Sequence, residues 1–373
     1  KSEKGLSVEN VKTVMEVNFL GVVGCVKAVQ EYFQNKKKGH ISISRFMEIS
    51  LTNPEEGYYI KQKPLGKAGD FITAPDITQI FGEVIGAWAI DIINKVNSKS
   101  SFQIVDLGGG RGTLLSDIKR VNSDNSISFG FLEINKKLMI AQKQIFPEAE
   151  HYKSISDIPD APTIFIGNEF LDAFPIRQYI KIKKTWKEVF VTKDNDRFLY
   201  CYKDIEDKIL FEENKRNFPN EADFLEVNTM IKKIVRDISN FLKRNNGICL
   251  FIDYGYSKGY GNTLQALKNH EYVDPLSFPG ASDLTSHINF SQIINETKNI
   301  EMNFFGPISQ RNFLINLGAF ERLEILKKST NSEKIKNDLD EGLNRVIENS
   351  QMGELFKVCA ISPKNKLIPE GFD

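Results

Sequence analysis

The spacing of hydrophobic and polar positions changes near residue 101, and the change divides the chain. Before it, apolar residues recur at helical intervals. The run from residue 8 to residue 35 carries a broad apolar face. It ends on Lys36, Lys37, Lys38 and Gly39, a basic last turn followed by glycine, and so predicts one helix. Residues 44–51 predict a second, short helix stopped before Pro54. Gly57-Tyr58-Tyr59 reads as loop, and 61–70, with Pro64, Gly66 and Gly69, as irregular chain. Thr73-Ala74-Pro75-Asp76 has the spacing of a helix start, with Thr73 as cap, Pro75 in the first turn and Asp76 reaching back. The apolar period carries that helix to about Val96.

After residue 101, short apolar runs alternate with amphipathic ones. Strands are predicted at 102–106, 126–133 and 163–167, and helices at 113–121 and 136–146. This alternation implies a parallel sheet with crossover helices. Within the charged stretch 176–216, segments 178–183 and 186–192 predict a hairpin-like addition. Residues 224–244 read as helix, 247–254 as a strongly apolar strand, 257–287 as a polar loop and 355–361 as the last strand. The fold class is therefore α/β: a Rossmann-like, mostly parallel sheet with a helical N-terminal region and α+β insertions. The expected domains are a separate N-terminal helix at 1–38, a helical region at 39–100, and a sheet domain at 101–373 with insertions at about 176–246 and 257–300.

Charge adds little to this picture. Lys+Arg and Asp+Glu are both 49, so no global field draws the chain to nucleic acid or to an anionic membrane. Cys25, Cys201, Cys249 and Cys359 form no CxxC motif and sit among apolar neighbours, which suits reduced, buried thiols. His40, His151, His270 and His287 lack zinc-ligand spacing, and no metal site is expected. The apolar stretch 17–29 is too short to span a bilayer, and Glu3, Glu9 and Glu16 argue against a targeting segment there.

The candidate chemistry begins where the first strand after residue 101 meets Gly108-Gly109-Gly110-Arg111-Gly112. A strand running into a glycine turn and a helix binds nucleotide-like ligands at the carboxyl end of a sheet. The third glycine arrives one residue early for GxGxxG, which weakens a dinucleotide reading. Asp106 before the loop resembles instead the first motif of class I methyltransferases. Glu133 then stands at the second strand end, where those enzymes place an acidic residue for the ribose hydroxyls of S-adenosylmethionine.

Three longer segments narrow the resemblance. They are Gly69-Asp70-Phe71-Ile72-Thr73-Ala74-Pro75-Asp76 with its continuation to Glu83, Asn168-Glu169-Phe170-Leu171-Asp172-Ala173-Phe174-Pro175, and the stretch from Asp274 through Pro279, Asp283 and His287. With Met352 to Val358 they resemble, in order, the motifs of the MidA-type family, over about residues 39–361. That family usually reads ELGPGRGTL where this chain has Asp106-Leu107-Gly108-Gly109-Gly110-Arg111-Gly112-Thr113-Leu114, so Gly109 replaces proline and should loosen the loop.

The resemblance implies a methyltransferase using S-adenosylmethionine and making symmetric dimethylarginine on a protein, a respiratory complex I subunit, during assembly. It implies cofactor contacts from Asp70, Thr73, Pro75, Asp106, Gly108, Gly110, Gly112, Glu133 and Asn168. Glu169 and Asp172 would orient the acceptor, since a guanidinium stays protonated and paired carboxylates localise its charge. Asp253, Tyr254, His270, Asp274, Asp283 and His287 would form a substrate rim. No nucleic acid partner or membrane span is expected, and the compartment would be bacterial cytoplasm or mitochondrial matrix. Two other readings are a non-catalytic assembly factor that binds S-adenosylmethionine and a nicotinamide-dependent dehydrogenase. The latter rests on residues 8–40, where Val14 to Val29, with Asn18, resembles a short-chain dehydrogenase helix lacking its upstream cofactor loop. Tyr59 and Lys63 have that family's YxxxK spacing, but they fall inside the MidA-like segment and read as coincidence.

Overall fold

The structure, a computed structural model, describes residues 25–29, 39–61, 72–96, 101–122, 126–195, 197–364 and 367–373. Of the helix expected at 8–35, residues 25–29 are described and are helical. Of the stretch 61–70, expected to be irregular, Lys61 is helical and residues 62–70, Asp70 among them, lie outside the described residues.

In chain order the first elements are strand β1 (His40–Ser42) and helices α1 (Ile43–Thr52), α2 (Tyr58–Lys61), α3 (Ala74–Ile77) and α4 (Gln79–Val96). Then come β2 (Gln103–Leu107), α5 (Thr113–Val121), β3 (Ser128–Leu132), α6 (Lys136–Ile145), β4 (Glu150–Tyr152) and β5 (Thr163–Asn168). An insertion follows with β6 (Ile176–Ile182), β7 (Thr185–Asp194), β8 (Arg197–Lys203), α7 (Lys208–Lys215) and β9 (Phe224–Asn228). The chain returns through α8 (Ile231–Asn245) and β10 (Gly247–Tyr256), then β11 (Gln265–Lys268), β12 (Glu271–Val273), β13 (Asp283–Thr285) and β14 (Ile288–Asn289). It closes with α9 (Phe290–Asn299), β15 (Asn303–Ser309), α10 (Gln310–Asn316), α11 (Ala319–Lys328), α12 (Glu333–Ile347), α13 (Met352–Leu355) and β16 (Phe356–Ser362).

The main sheet has the order β15-β16-β10-β5-β2-β3-β4. The run from β10 to β4 is parallel, and β16 is antiparallel to its neighbours. Strands β2 and β5 are adjacent although β3 and β4 lie between them in sequence. The strand order therefore reverses at the β2–β5 boundary, where α/β sheets open a crevice at their carboxyl ends. Both faces are covered. Ile80, Val84, Ile85 and Trp88 of α4 pack on one face with Ile104, Ile164 and Leu250. Val235, Ile238 and Phe241 of α8 pack on the other with Val105, Phe165 and Phe251. A second sheet, ordered β1-β7-β6-β9 with β8 on β7, and a three-stranded sheet, β12-β11-β13, stand beside the crevice. The two tryptophans divide between the sheets. Trp88 is buried against Phe313 and donates its ring N–H to the Glu370 carbonyl at 3.2 Å, while Trp186 on β7 is half-buried against Phe211.

Several local expectations change. The helix from Thr73 to Val96 is broken: Thr78 is extended, at φ −150° and ψ 133°, and its hydroxyl accepts from Ile80 N to begin α4. Thr73 makes no side-chain cap, and Asp76, instead of reaching back, accepts from the Thr113 hydroxyl at 2.7 Å. Tyr58 and Tyr59, expected in a loop, start the short α2. Residues 224–228 are strand β9 rather than helix. Its Leu225 and Val227 bury beside Tyr179, and Asn228 Oδ1 then accepts from Met230 N and Ile231 N to start α8. The loop at 257–287 contains the small sheet, and the charged insertion holds β8 and α7 beyond the hairpin.

Candidate functional site

The crevice is a cleft of about 1320 Å³, its mouth included, lined from the carboxyl ends of β2, β3 and β5 and from α1 to α3. Its floor is the glycine loop. Gly108, Gly110 and Gly112 lie at φ +65°, +53° and +90°, left-handed conformations that favour glycine. A Cβ on Gly108 would stand 3.0 Å from the Phe170 ring. Gly109 has an ordinary φ, yet a Cβ there would come within 2.6 Å of both Asp106 Oδ2 and the Phe131 ring. Gly109 thus lets the loop close down on Asp106, rather than loosening it.

Asp106 is buried, and its Oδ2 has no hydrogen-bond partner. Burial, with Glu133 nearby, pushes its carboxyl up to about 8. Glu133 is also buried. Its Oε1 accepts from Ile134 N at 2.9 Å and Asn135 N at 2.8 Å, and its Oε2 meets Gln142 Nε2 at 3.5 Å. Burial raises its pKa too, and those donors oppose the rise. Asn135 caps α6 and gives its side-chain amide to the Tyr59 carbonyl, which fastens α2 beside the glycine loop.

At the other end of the cleft, β5 runs into Asn168 and Glu169. Glu169 sits at φ +49°, rare for a side-chain-bearing residue, and its N–H is pinned to the Ile252 carbonyl at 2.9 Å. Its Oε1 accepts from Ala74 N at 3.4 Å and Asn168 Nδ2 at 3.3 Å. Burial first, then the charges of Asp172 and Asp283, push Glu169 up to about 8. Asp172 accepts from the Tyr254 hydroxyl at 2.7 Å, and burial holds it at about 6. Behind it, Asp253 is wholly buried and accepts from Leu171 N and Tyr254 N at 2.9 Å and from Asp172 N at 3.3 Å. Asp283 accepts from the Tyr59 hydroxyl at 2.8 Å. Among the described residues, no lysine, arginine or histidine forms an ion pair with Glu169, Asp172 or Asp253. Among the described residues, no group of three or more His, Cys, Asp or Glu is arranged to hold a metal ion.

The fold brings Thr73, Pro75, Asp106, Gly108, Gly110, Glu133, Asn168, Glu169 and Asp172 to one cleft. Gly112 ends the loop beneath it and caps α5. Asp253 does not face the cleft; its oxygens hold the 171–172 turn. Tyr254 stands behind Asp172, with the half-buried His287 ring edge-on to it at 5.4 Å. Burial lowers the His287 pKa. His270 and Asp274 do not line the cleft. His270 is exposed at the turn between β11 and β12, and Asp274 caps the next turn by accepting from Leu276 N. The sequence reading missed Tyr59, Asn135, Phe170 and Gln142. Of these, only the capping residue type of Asn135 at the head of a helix was a visible signal.

Comparison with known proteins agrees with this geometry. The family described as S-adenosyl-L-methionine-dependent methyltransferase matches residues 84–308. The mitochondrial protein arginine methyltransferase NDUFAF7 of Danio rerio is 32% identical over 361 residues, covering 87% of this chain and 83% of that protein. The Caenorhabditis elegans homolog is 34% identical, covering 87% and 84%. A Burkholderia thailandensis protein solved bound to S-adenosyl-homocysteine superposes with a TM-score of 0.81 at 22% identity, covering 95% of this chain and 94% of that one.

Proposed function

We propose a function from one premise: the chain belongs to the S-adenosyl-L-methionine-dependent methyltransferases, in their MidA-type branch. It is an enzyme of that class with S-adenosylmethionine as its methyl donor. The further reading is that it methylates a protein arginine, to the symmetric dimethyl form, on a respiratory complex I subunit. The single observation behind the choice of acceptor is the pair of cleft carboxylates, Glu169 and Asp172, with which no lysine, arginine or histidine among the described residues forms an ion pair. The arginine activity named for the relatives and the complex I link of the MidA resemblance support the rest.

The residues of the floor fit the donor. Asp106 has an orphaned buried oxygen, suited to the ammonium of the amino-acid part. The glycines admit close backbone approach, and Glu133 keeps one oxygen turned from its backbone donors for the ribose hydroxyls. When bound, the donor supplies an electrophilic methyl carbon on a sulfonium.

The chain's own task is to bring an acceptor nitrogen in line with that carbon and keep water away. Glu169 and Asp172 would take the far N–H groups of a guanidinium in charge-assisted hydrogen bonds, holding its charge away from the attacking nitrogen. Tyr254 fixes Asp172, and Asp253 fixes the turn that carries it. As the new N–C bond forms and the old S–C bond breaks, the acceptor nitrogen must lose a proton. A carboxylate whose pKa is raised into the neutral range can receive it. Residues 39–100 would act as the wall over the cofactor, with the insertions of 101–373 shaping the acceptor side and 1–38 as a separate helix. The mitochondrial matrix or the bacterial cytoplasm is the compartment this reading implies.

The test incubates the protein and S-adenosylmethionine with complex I subunits and reads their masses. A gain of two methyl groups on one arginine, with S-adenosylhomocysteine formed, is expected. Tight S-adenosylmethionine binding with no transfer would favour a non-catalytic assembly factor.

A further inference from the structure

Helix α6 lies over the cofactor end of the cleft, yet its only buried residue is polar. Of residues Lys136 to Ile145, Gln142 alone is buried, fully so, while Ile140 and Ile145 remain exposed. An amphipathic helix normally docks through an apolar stripe. Here the inward contact is an amide.

That amide has its hydrogen bonds assigned by its surroundings. Gln142 Nε2 donates to the Gly110 carbonyl at 2.9 Å and faces Glu133 Oε2 at 3.5 Å. Gln142 Oε1 lies 3.0 Å from His151 Nε2 on β4. Turned over, its oxygen would meet a carbonyl and a carboxylate, so the orientation is fixed by electrostatics. It follows that His151 carries its proton on Nε2. His151 Nδ1 is buried without a partner, and burial followed by nearby Lys143 lowers the ring's pKa, which keeps it neutral. The ring is held against Phe131 at 5.4 Å. Gly112 belongs to the same joint, since a Cβ there would lie 3.6 Å from Gln142 Cα and 3.2 Å from Phe131.

We infer that Gln142, braced by His151, is a positioning residue for the cofactor: it ties the Gly110 turn to Glu133 and so sets the carboxylate oxygen that receives the ribose. Glu133 Oε1 is already committed to two backbone donors. Oε2 is the oxygen with capacity to spare, and Gln142 is the group that holds it. The same donor holds the Gly110 carbonyl against α6 and so fixes the turn. Gln142 acts through Glu133, not by touching the acceptor.

The inference rests on the cofactor assignment to Glu133, and the test separates the two. S-adenosylhomocysteine binding is measured by calorimetry on the wild type, Gln142→Met, Gln142→Glu, Glu133→Gln and Glu133→Gln with Gln142→Met. Methionine keeps the length and packing of glutamine without its hydrogen bonds, and thermal melting checks that each variant is folded. Glu133→Gln and Gln142→Met should each weaken binding by about tenfold or more. The double variant should bind no worse than Glu133→Gln within about twofold, because one residue acts through the other. Gln142→Glu, which sets a like charge against Glu133, should bind more weakly than Gln142→Met. A loss in Glu133→Gln with Gln142→Met unchanged, or losses that multiply in the double variant, would overturn the inference alone. Unchanged binding in Glu133→Gln, or no binding by the wild type, would overturn the assignment beneath it.

Discussion

Two buried acidic regions of this molecule are built on opposite principles. Glu83, on α4, has a side chain with no exposure, and two arginines reach it: Arg120 at 3.0 Å and Arg322 at 2.7 Å. Glu188 on β7, equally hidden, is met by Arg177 at 2.6 Å. The well at the end of β5 has the same kind of group, and no described residue brings it a cation. Glu169, Asp172 and Asp253 are satisfied by amides, a tyrosine and backbone N–H groups. Hydrogen bonds steady a carboxylate but bring no opposite charge, and burial leaves its pKa high. At Glu83 and Glu188 the buried charge is neutralised within the fold. At Glu169 and Asp172, which line the cleft, no described residue supplies a cation, and the cation is expected from outside.

The contrast breaks most sharply at Glu169. Glu169→Gln keeps size and hydrogen bonding but removes the charge, so turnover with the arginine acceptor should fall about 10- to 150-fold. S-adenosylhomocysteine affinity should stay within a few-fold, and the melting temperature should not drop. Single-turnover methylation beside a binding titration reads both. Equal loss of turnover and cofactor binding would make Glu169 a wall of the donor pocket instead.

The same substitution at Glu83 should do the reverse. Glu83→Gln takes the carboxylate from Arg322 and leaves Arg120 with Asp117 alone, both arginines partly exposed, and should cost about 2 kcal/mol of stability in denaturant unfolding. Cofactor affinity should be untouched. A Glu83→Gln protein as stable as the wild type would remove the basis of the comparison.

Acidity sharpens it further. Glu169 lies at about 8 against an ordinary 4.5. A carboxyl with a raised pKa holds its proton more tightly folded than unfolded. Its contribution to stability is complete below the ordinary value and is lost as pH rises through about 8. The wild-type melting temperature should therefore fall more across that window than that of Glu169→Gln, while kcat/KM rises as the well ionises. Parallel melting profiles would place the titration on another group. The smallest effect is expected at His270 and Asp274: His270→Ala and Asp274→Asn should leave turnover within about twofold, since single surface changes away from a site do little.

Much of this was legible before any coordinates, and the gaps have physical causes. Period and turn chemistry located β2, α5, β3, α6 and β5, because a parallel sheet writes its strands as apolar runs. The glycine loop, Glu133 and Glu169 stand at the strand ends where the sequence put them, while the roles proposed for them came from the family resemblance. Gln142 was hidden because a glutamine inside a polar helix looks solvated; only the fold shows that it faces inward. The Tyr59–Asp283 bond joins α2 to β13, far apart in the chain and beyond the reach of local spacing. Phe224–Asn228 was misread because its apolar run continues without punctuation into α8, and a strand and a helix share it. His270 and Asp274 were grouped with the site by neighbourhood in sequence, which the β11–β12 hairpin undoes by carrying His270 to an exposed tip.

The placement of the two tryptophans gives the molecule a pair of independent optical reporters. Trp88, sealed in the main core, should emit at short wavelength and be shielded from aqueous quenchers. Trp186, half-buried with Lys181 over its ring on the second sheet, should emit further to the red and be quenched readily. Replacing either one by phenylalanine leaves a single emitter. The melting of the donor-binding sheet and that of the neighbouring sheet can then be followed separately by fluorescence, in one protein and without an added label.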